Sequence, residues 1–140
     1  MTRPYYETQD DLNNEKQIAK VIENVFKCEL YKMPIKLSLD FMAMRDGKAV
    51  AFIEARQRKN EMTRYDTYMI SMYKLMMARN LSQATKLPCF LAVQFTDKFA
   101  MTKFPPEDFH VSVGGLTSRG DPQDIEPVAH FNIENFKVLL

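Results

Sequence analysis

Apolar positions change their spacing along this chain, and each change marks an element. From about Gln9 to Lys27, Ile18, Val21, Ile22, Val25 and Phe26 recur at i, i+3, i+4, i+7 and i+8, which predicts an amphipathic helix. Asp10 or Asp11 suits its N-terminal cap, where an acid meets the positive end of the helix dipole. Leu37 to Arg56 is apolar and β-compatible on either side of Asp46-Gly47, the signature of a β-hairpin. Between Met62 and Asn80, Met62, Tyr65, Met69, Met72 and Met76 step by three and four, predicting a second long helix widened by Tyr68, Tyr73 and Leu75. Leu87 to Thr96 is an apolar run after a helix, expected as a buried strand, and Phe109 to Val113 is an alternating one. A Gly114-Gly115 break, a polar loop from Thr117 to Pro127, a last strand at His130 to Ile133 and a covering segment from Phe136 to Leu140 complete the pattern. Strand, strand, helix, strand is the order of an α/β fold in which the helix crosses over to set a parallel strand beside the second hairpin arm.

Two acids are out of place in the hairpin. Asp40 lies in the first arm, while Glu54-Ala55-Arg56 puts an acid and a base two residues apart, on one face of the second. Carboxylates in apolar strands need a partner or a chemical role. If Asp46-Gly47 is a two-residue loop, Arg45 pairs with Lys48 and the two acids fall on opposite faces. With Arg45-Asp46-Gly47 as a three-residue loop, Met44 pairs with Lys48 and Asp40 with Phe52, so Asp40 and Glu54 become diagonal neighbours on one face. Only that second register serves a shared site. Two carboxylates and a cation on a rigid sheet suit a hard divalent ion, Mg2+ or Mn2+, with the cation meeting a phosphate.

This spacing resembles the PD-(D/E)XK nuclease superfamily, which includes restriction endonucleases and Holliday junction resolvases. The resemblance implies a restriction-endonuclease-like αβββαβ core, with a mixed central sheet flanked by helices. It assigns Asp40 and Glu54 to the metal-binding acids and Arg56 to the lysine position, with Leu39 where the motif has proline. The arginine is the chief departure: it stays charged at any working pH, so it can stabilise developing negative charge but cannot take a proton from water. Lys59 and Lys36 are stand-ins, neither at the expected place. Related domains carry a glutamate on the first helix that completes the metal site, and Asn14-Glu15 resembles that element. Glu15 falls within the apolar stripe, three residues before Ile18; as a helix-start residue it is equally well read as solvated. The resemblance also implies that the element after the second arm faces DNA, with Arg58, Lys59, Arg64, Tyr65 and Tyr68 as the contacting set. The competing reading makes the methionine and aromatic stripe core, or part of a dimer interface. The glycine-rich tail with Asp121, Asp124 and Glu126 resembles a segment of small phage-encoded members; its acids are expected to form loops rather than bind metal.

Composition frames these features. One hundred and forty residues make a single domain, 1–140, able to bury its own core. With 19 lysines and arginines against 18 acids, the chain as a whole carries no strong field for nucleic acid. The basic charge is local, with Arg56, Arg58, Lys59 and Arg64 set against Glu61 alone. No membrane span or signal peptide is expected, which places the protein in an intracellular, cytoplasmic setting. Cys28 and Cys89 lack metal-ligand spacing and are expected as reduced thiols, and His110 and His130 as structural strand residues. The expectation is a metal-dependent endonuclease acting on DNA, in particular branched DNA, as a homodimer or higher homo-oligomer. A noncatalytic nucleic-acid-binding or assembly protein on the same fold is the alternative, and a third reading makes the acids salt-bridge partners of Arg56 and Arg58.

Overall fold

The structure, a computed structural model, describes residues 9–34, 39–115 and 125–140. Helix α1 (Gln9–Phe26) is followed by strands β1 (Glu29–Lys32), β2 (Phe41–Arg45), β3 (Lys48–Gln57) and β4 (Thr67–Ser71), and by helix α2 (Met72–Thr85). Strands β5 (Cys89–Gln94), β6 (Phe99–Lys103), β7 (His110–Gly115), β8 (Ile125–Asn132) and β9 (Lys137–Val138) complete the chain. A six-stranded sheet runs β1-β2-β3-β5-β6-β9, and a three-stranded sheet runs β4-β8-β7.

The large sheet is covered on both faces, and its alternating side chains show why. Ala51, Ile53 and Ala55 of β3 pack with Phe41, Ala43, Phe99 and Met101 beneath Ile18, Ala19 and Ile22 of α1. The intervening Phe52 points the other way and joins Leu91 and Val93, Leu75 and Ala78 of α2, and Tyr68, Ile70, Ala129 and Phe131 of the small sheet. Burying both faces is what allows β3 and β5 to run parallel, with α2 as the crossover between them. α1, β1, β2, β3, α2 and β5 thus supply the expected αβββαβ order, with β4 inserted before α2. Asp10 lies within the first turn of α1 rather than ahead of it, and the helix stops where Lys27 takes φ 52°.

The hairpin has a different register from the one that a shared site seemed to need. Arg45 pairs with Lys48, so Asp46-Gly47 is a two-residue loop with φ of 53° and 75° at its two positions. Met44 then pairs with Ala49, but Ala43 pairs with Ala51, leaving Val50 as an extra residue in β3. This bulge advances the phase by one residue. Phe41 consequently faces Ile53, where the ladder ends, and the N–H of Asp40 also bonds Ile53 O at 3.1 Å. Asp40 is thereby held at the end of β2 beside the strand that carries Glu54, without the pairing to Phe52 that the three-residue loop would have given it.

The second helix also begins later than its stripe implies. Met62–Arg64 is a single 3-10 turn, and Thr67–Ser71 is the strand β4, in which buried Tyr68 and Ile70 alternate with exposed Met69. Tyrosine, threonine and isoleucine favour a strand here, and pairing with β8 provides the ladder that helical spacing alone does not reveal. Ser71 caps α2 by accepting the N–H of Tyr73 at 3.1 Å. Gly114 and Gly115 do not break β7 but pair with Glu126 and Ile125 of β8, so Glu126 stands in a strand rather than a loop. Lys36, Asp121 and Asp124 lie outside the described residues.

Candidate active site

Glu54 enters the site as a charge in the core: only 2% of its surface is exposed, between Ile53 and Ala55 on a central strand. Such burial raises its proton affinity above the ordinary carboxylate range, and the charge of Asp40 adds to the rise. Arg56 and Lys74 pull in the opposite direction. Arg56 reaches Glu54 Oε2 through Nε at 2.8 Å and NH2 at 2.7 Å. Lys74 Nζ, from the first turn of α2, lies 3.4 Å from Oε2 and 3.5 Å from Oε1. Burial by itself lowers the proton affinity of Arg56, yet the charges of Glu54, Tyr68 and Asp40 and the hydrogen bond to Glu54 together more than offset this, so the guanidinium is held cationic more firmly than usual.

Asp40 sits just before β2, its N–H bonded to Ile53 O at 3.1 Å. Its Oδ2 accepts the N–H of Ala55 at 2.8 Å, which ties the carboxylate to the strand that carries Glu54. Its Oδ1 lies 3.5 Å from Lys32 Nζ, and the same ammonium donates to Glu15 Oε2 at 2.6 Å. Glu15 therefore faces inward from α1, and burial raises it to about pKa 7, a rise that Lys32 opposes and Asp40 reinforces. Glu15, Lys32, Asp40, Glu54, Arg56 and Lys74 form one charged string across the C-terminal end of β3.

The residues expected to meet DNA divide between surface and core. Lys59, Arg64 and Tyr65 are exposed on the segment that follows β3, with Arg64 packed against the Tyr65 ring at 5.8 Å. That segment is anchored by Met62 N–H to Asp97 Oδ1 at 2.9 Å and Thr96 N–H to Asn60 O at 3.1 Å. Arg58 lies 4.5 Å over the ring of Tyr68 and donates to Met69 O at 3.3 Å. Tyr68 itself is 4% exposed and packed against Phe95 and Phe136, so its ring is core and not a base-stacking surface. Its hydroxyl is buried without a hydrogen-bond partner, the one such side-chain atom among the described residues.

Lys32 and Lys74 escaped the sequence reading. For Lys74 a signal existed: it precedes Leu75 and lies four residues before Ala78, both fully buried, so it falls on the inward stripe of α2. No group of three or more histidine, cysteine or acidic side chains among the described residues is arranged as a metal cage. Magnesium needs no such cage, since one or two carboxylates and several waters suffice. Asp40 and Glu54, hard oxygen donors on adjacent strands, with the charge of Asp40 adding to the raised proton affinity of Glu54, fit such an ion.

Among solved structures, Hjc, a Holliday junction resolvase from the archaeal hyperthermophile Archaeoglobus fulgidus, is similar to this chain with a TM-score of 0.53 at 9% identity, over 67% of this chain and 77% of that one. The likeness is one of fold, and it makes the mixed sheet and its two helices restriction-endonuclease-like. No curated protein matches the chain. The family model described as "Phage putative PDDEXK endonuclease" matches residues 1–139, with Asp40, Glu54 and the string of charges around them inside the match, and the chain belongs to that family.

Proposed function

We propose that the protein is a metal-dependent endonuclease that hydrolyses phosphodiester bonds in DNA, with branched DNA as its preferred substrate. The observation that carries this reading is the Val50 bulge, which brings Asp40 beside the strand of Glu54, where its carboxylate accepts the N–H of the neighbouring Ala55. A bulge that serves only the fold has no reason to bring two like charges together in an apolar sheet, where their repulsion costs stability. Asp40 and Glu54 would hold Mg2+ or Mn2+, with Glu15 joining through Asp40. When bound, the ion supplies Lewis acidity to the phosphodiester. Arg56 holds the phosphate charge, as a fixed cation is suited to do. Lys74 takes the part of the motif's lysine from a different element, because an ammonium can exchange a proton where a guanidinium cannot. Arg58, Lys59, Arg64 and Tyr65 extend the cationic surface along the backbone of the DNA, and a homodimer would place two such surfaces side by side. The family membership supports an endonuclease, and the likeness to a resolvase fold favours branched substrates.

Plasmid and four-way-junction cleavage in Mg2+ or Mn2+ tests the proposal. Wild type should nick, with the junction cut faster, and Asp40→Asn and Glu54→Gln should each be inactive. A folded wild type that binds branched DNA but cleaves nothing in either metal would instead support a noncatalytic binding protein, in which Arg56 and Lys74 serve only to neutralise Glu54.

A further inference from the structure

The small sheet carries a second constellation that the nuclease site does not use. Register sets Met69 of β4 opposite His130 of β8, and His130 opposite His110 of β7, so the three side chains form a row across three strands. Their neighbours Tyr68, Ile70, Ala129 and Phe131 alternate into the core, which leaves this row on the outer face. The two imidazoles stack with centroids 4.5 Å apart and planes only 2° from parallel. Ser112 Oγ is 2.6 Å from His130 Nε2, and Thr67 Oγ1 is 3.4 Å from Nδ1 of the same ring. Met69 is 48% exposed beside them.

We propose that His110 and His130 form a binding site for a transition-metal ion of the zinc–copper type, with the Met69 thioether as a third donor. Directly opposed residues on antiparallel strands have Cβ atoms roughly 5 Å apart, and imidazoles bond such ions at about 2.0–2.1 Å, so one ion comes within reach of both rings once they turn out of their parallel stack and their nitrogens converge. An ion at Nε2 of His130 displaces Ser112 and leaves Nδ1–H to donate to Thr67 Oγ1, the outer partner that fixes the tautomer and orients the ring. Burial and the neighbouring His110 hold His130 below its ordinary range, which keeps its ring neutral and its lone pair available near neutral pH. Nitrogen and thioether donors favour borderline and soft ions, whereas the carboxylates of the nuclease site favour hard ones, so millimolar Mg2+ occupies the carboxylates and leaves the histidine site to be read separately. An ion here also ties β7, which among the described residues pairs with β8 alone, to the rest of the small sheet.

Titration of the full chain with Zn2+, and separately with Cu+ under reducing conditions against a chromophoric chelator, tests this in millimolar Mg2+ and a Cys28→Ser background. One equivalent should bind, and His110→Ala and His130→Ala should each weaken Zn2+ binding roughly tenfold or more. Met69→Leu should weaken Cu+ binding by a similar factor and leave Zn2+ nearly unchanged. Wild-type affinity in His110→Ala would overturn the site, and unchanged Cu+ affinity in Met69→Leu would overturn the third donor. The histidine ring resonances of the unsubstituted protein give an independent reading. They should shift on addition of one equivalent of Zn2+, and unmoved His110 and His130 signals overturn the proposal whatever the variants do.

Discussion

Nζ of Lys74 lies 3.4 Å from Oε2 of Glu54, although α2 and β3 are separated by a turn and a whole strand in sequence. Arg56 makes two contacts of 2.7–2.8 Å with the same oxygen. The two cations share one anion, but an ammonium can exchange a proton where a guanidinium cannot. Lys74→Met should therefore lower the cleavage rate by about 100-fold or more, the usual scale for loss of a proton-transfer group. Arg56→Lys should retain cleavage, and Arg56→Ala should lose it with the phosphate contact. Single-turnover rates on a nicked-plasmid assay separate these; a Lys74→Met protein that cleaves as fast as wild type would move the role away from α2.

Tyr68 presents a simpler energetic case. Its hydroxyl is buried and orphaned, and an unsatisfied buried polar group costs about 1–3 kcal/mol. Its ring packs on Phe95 and Phe136 and carries the Arg58 guanidinium at 4.5 Å, contacts that phenylalanine would keep. Tyr68→Phe should raise stability by about 1 kcal/mol in denaturant unfolding without loss of DNA binding. A loss of stability would mean that the hydroxyl has a partner in solution.

The proton affinity of Glu15 gives a pH dependence of definite sign. Its folded pKa of about 7 lies above its ordinary value of 4.5, so between those values the native state binds more protons than the unfolded chain. Stability must fall as pH rises through this window, and the penalty is complete above it. Glu15→Gln mimics the protonated form, so it should stabilise the metal-free protein at pH 8 by about 1–3 kcal/mol and have little effect near pH 4.5. Thermal melts at the two pH values check this, and a variant equally stabilised or destabilised at both would refute the assignment.

The same hairpin can be perturbed at two points with different results. Gly47 has φ 75° and open space where a Cβ would lie, so Gly47→Val should cost about 1 kcal/mol or more through backbone strain alone. Because the phase is set at Val50, beyond the turn, the folded fraction of this variant should bind metal as wild type does. Deleting Val50 removes the extra residue and should abolish cleavage even where circular dichroism shows a folded sheet, since Asp40 and Glu54 then part to opposite faces.

What could be learned from the sequence follows the range of the forces involved. The α1 stripe, the β5 run and the Asp46-Gly47 turn are local signals, and each appears close to its expected place. The β4 strand was hidden because methionine and tyrosine at steps of three and four mimic a helix, and only pairing with β8, some sixty residues away, decides the matter. The Val50 bulge has no local signature among Ala49, Val50 and Ala51, so the juxtaposition of the acids could be reached only by assuming a longer loop. Asp40, Glu54 and Glu15 were visible as charges among apolar residues; Lys32 looks like an ordinary surface lysine, and Lys74 is marked only by its place on the inward stripe of α2, until the fold brings both to the acids.

Metal binding should be visible in stability before any cleavage is measured. Burial and the charge of Asp40 both raise the cost of ionising Glu54, so a divalent ion that binds both carboxylates relieves a strain present in the native state alone. Binding to the native state stabilises by mass action, about 2.7 kcal/mol when the free ion is at 100 times its dissociation constant. Mn2+ should accordingly raise the melting temperature of wild type. Asp40→Asn keeps an oxygen able to accept the Ala55 N–H and Glu54→Gln keeps the side-chain shape, so the double variant preserves the local geometry while losing the negative charge that attracts the ion. Its melting temperature should not respond to Mn2+. The His110→Ala substitution should leave the wild-type response intact, which separates this ion from one bound at the small sheet. A full Mn2+-dependent rise in the Asp40→Asn, Glu54→Gln protein would place the ion away from these two carboxylates, and the nuclease proposal would lose its metal centre.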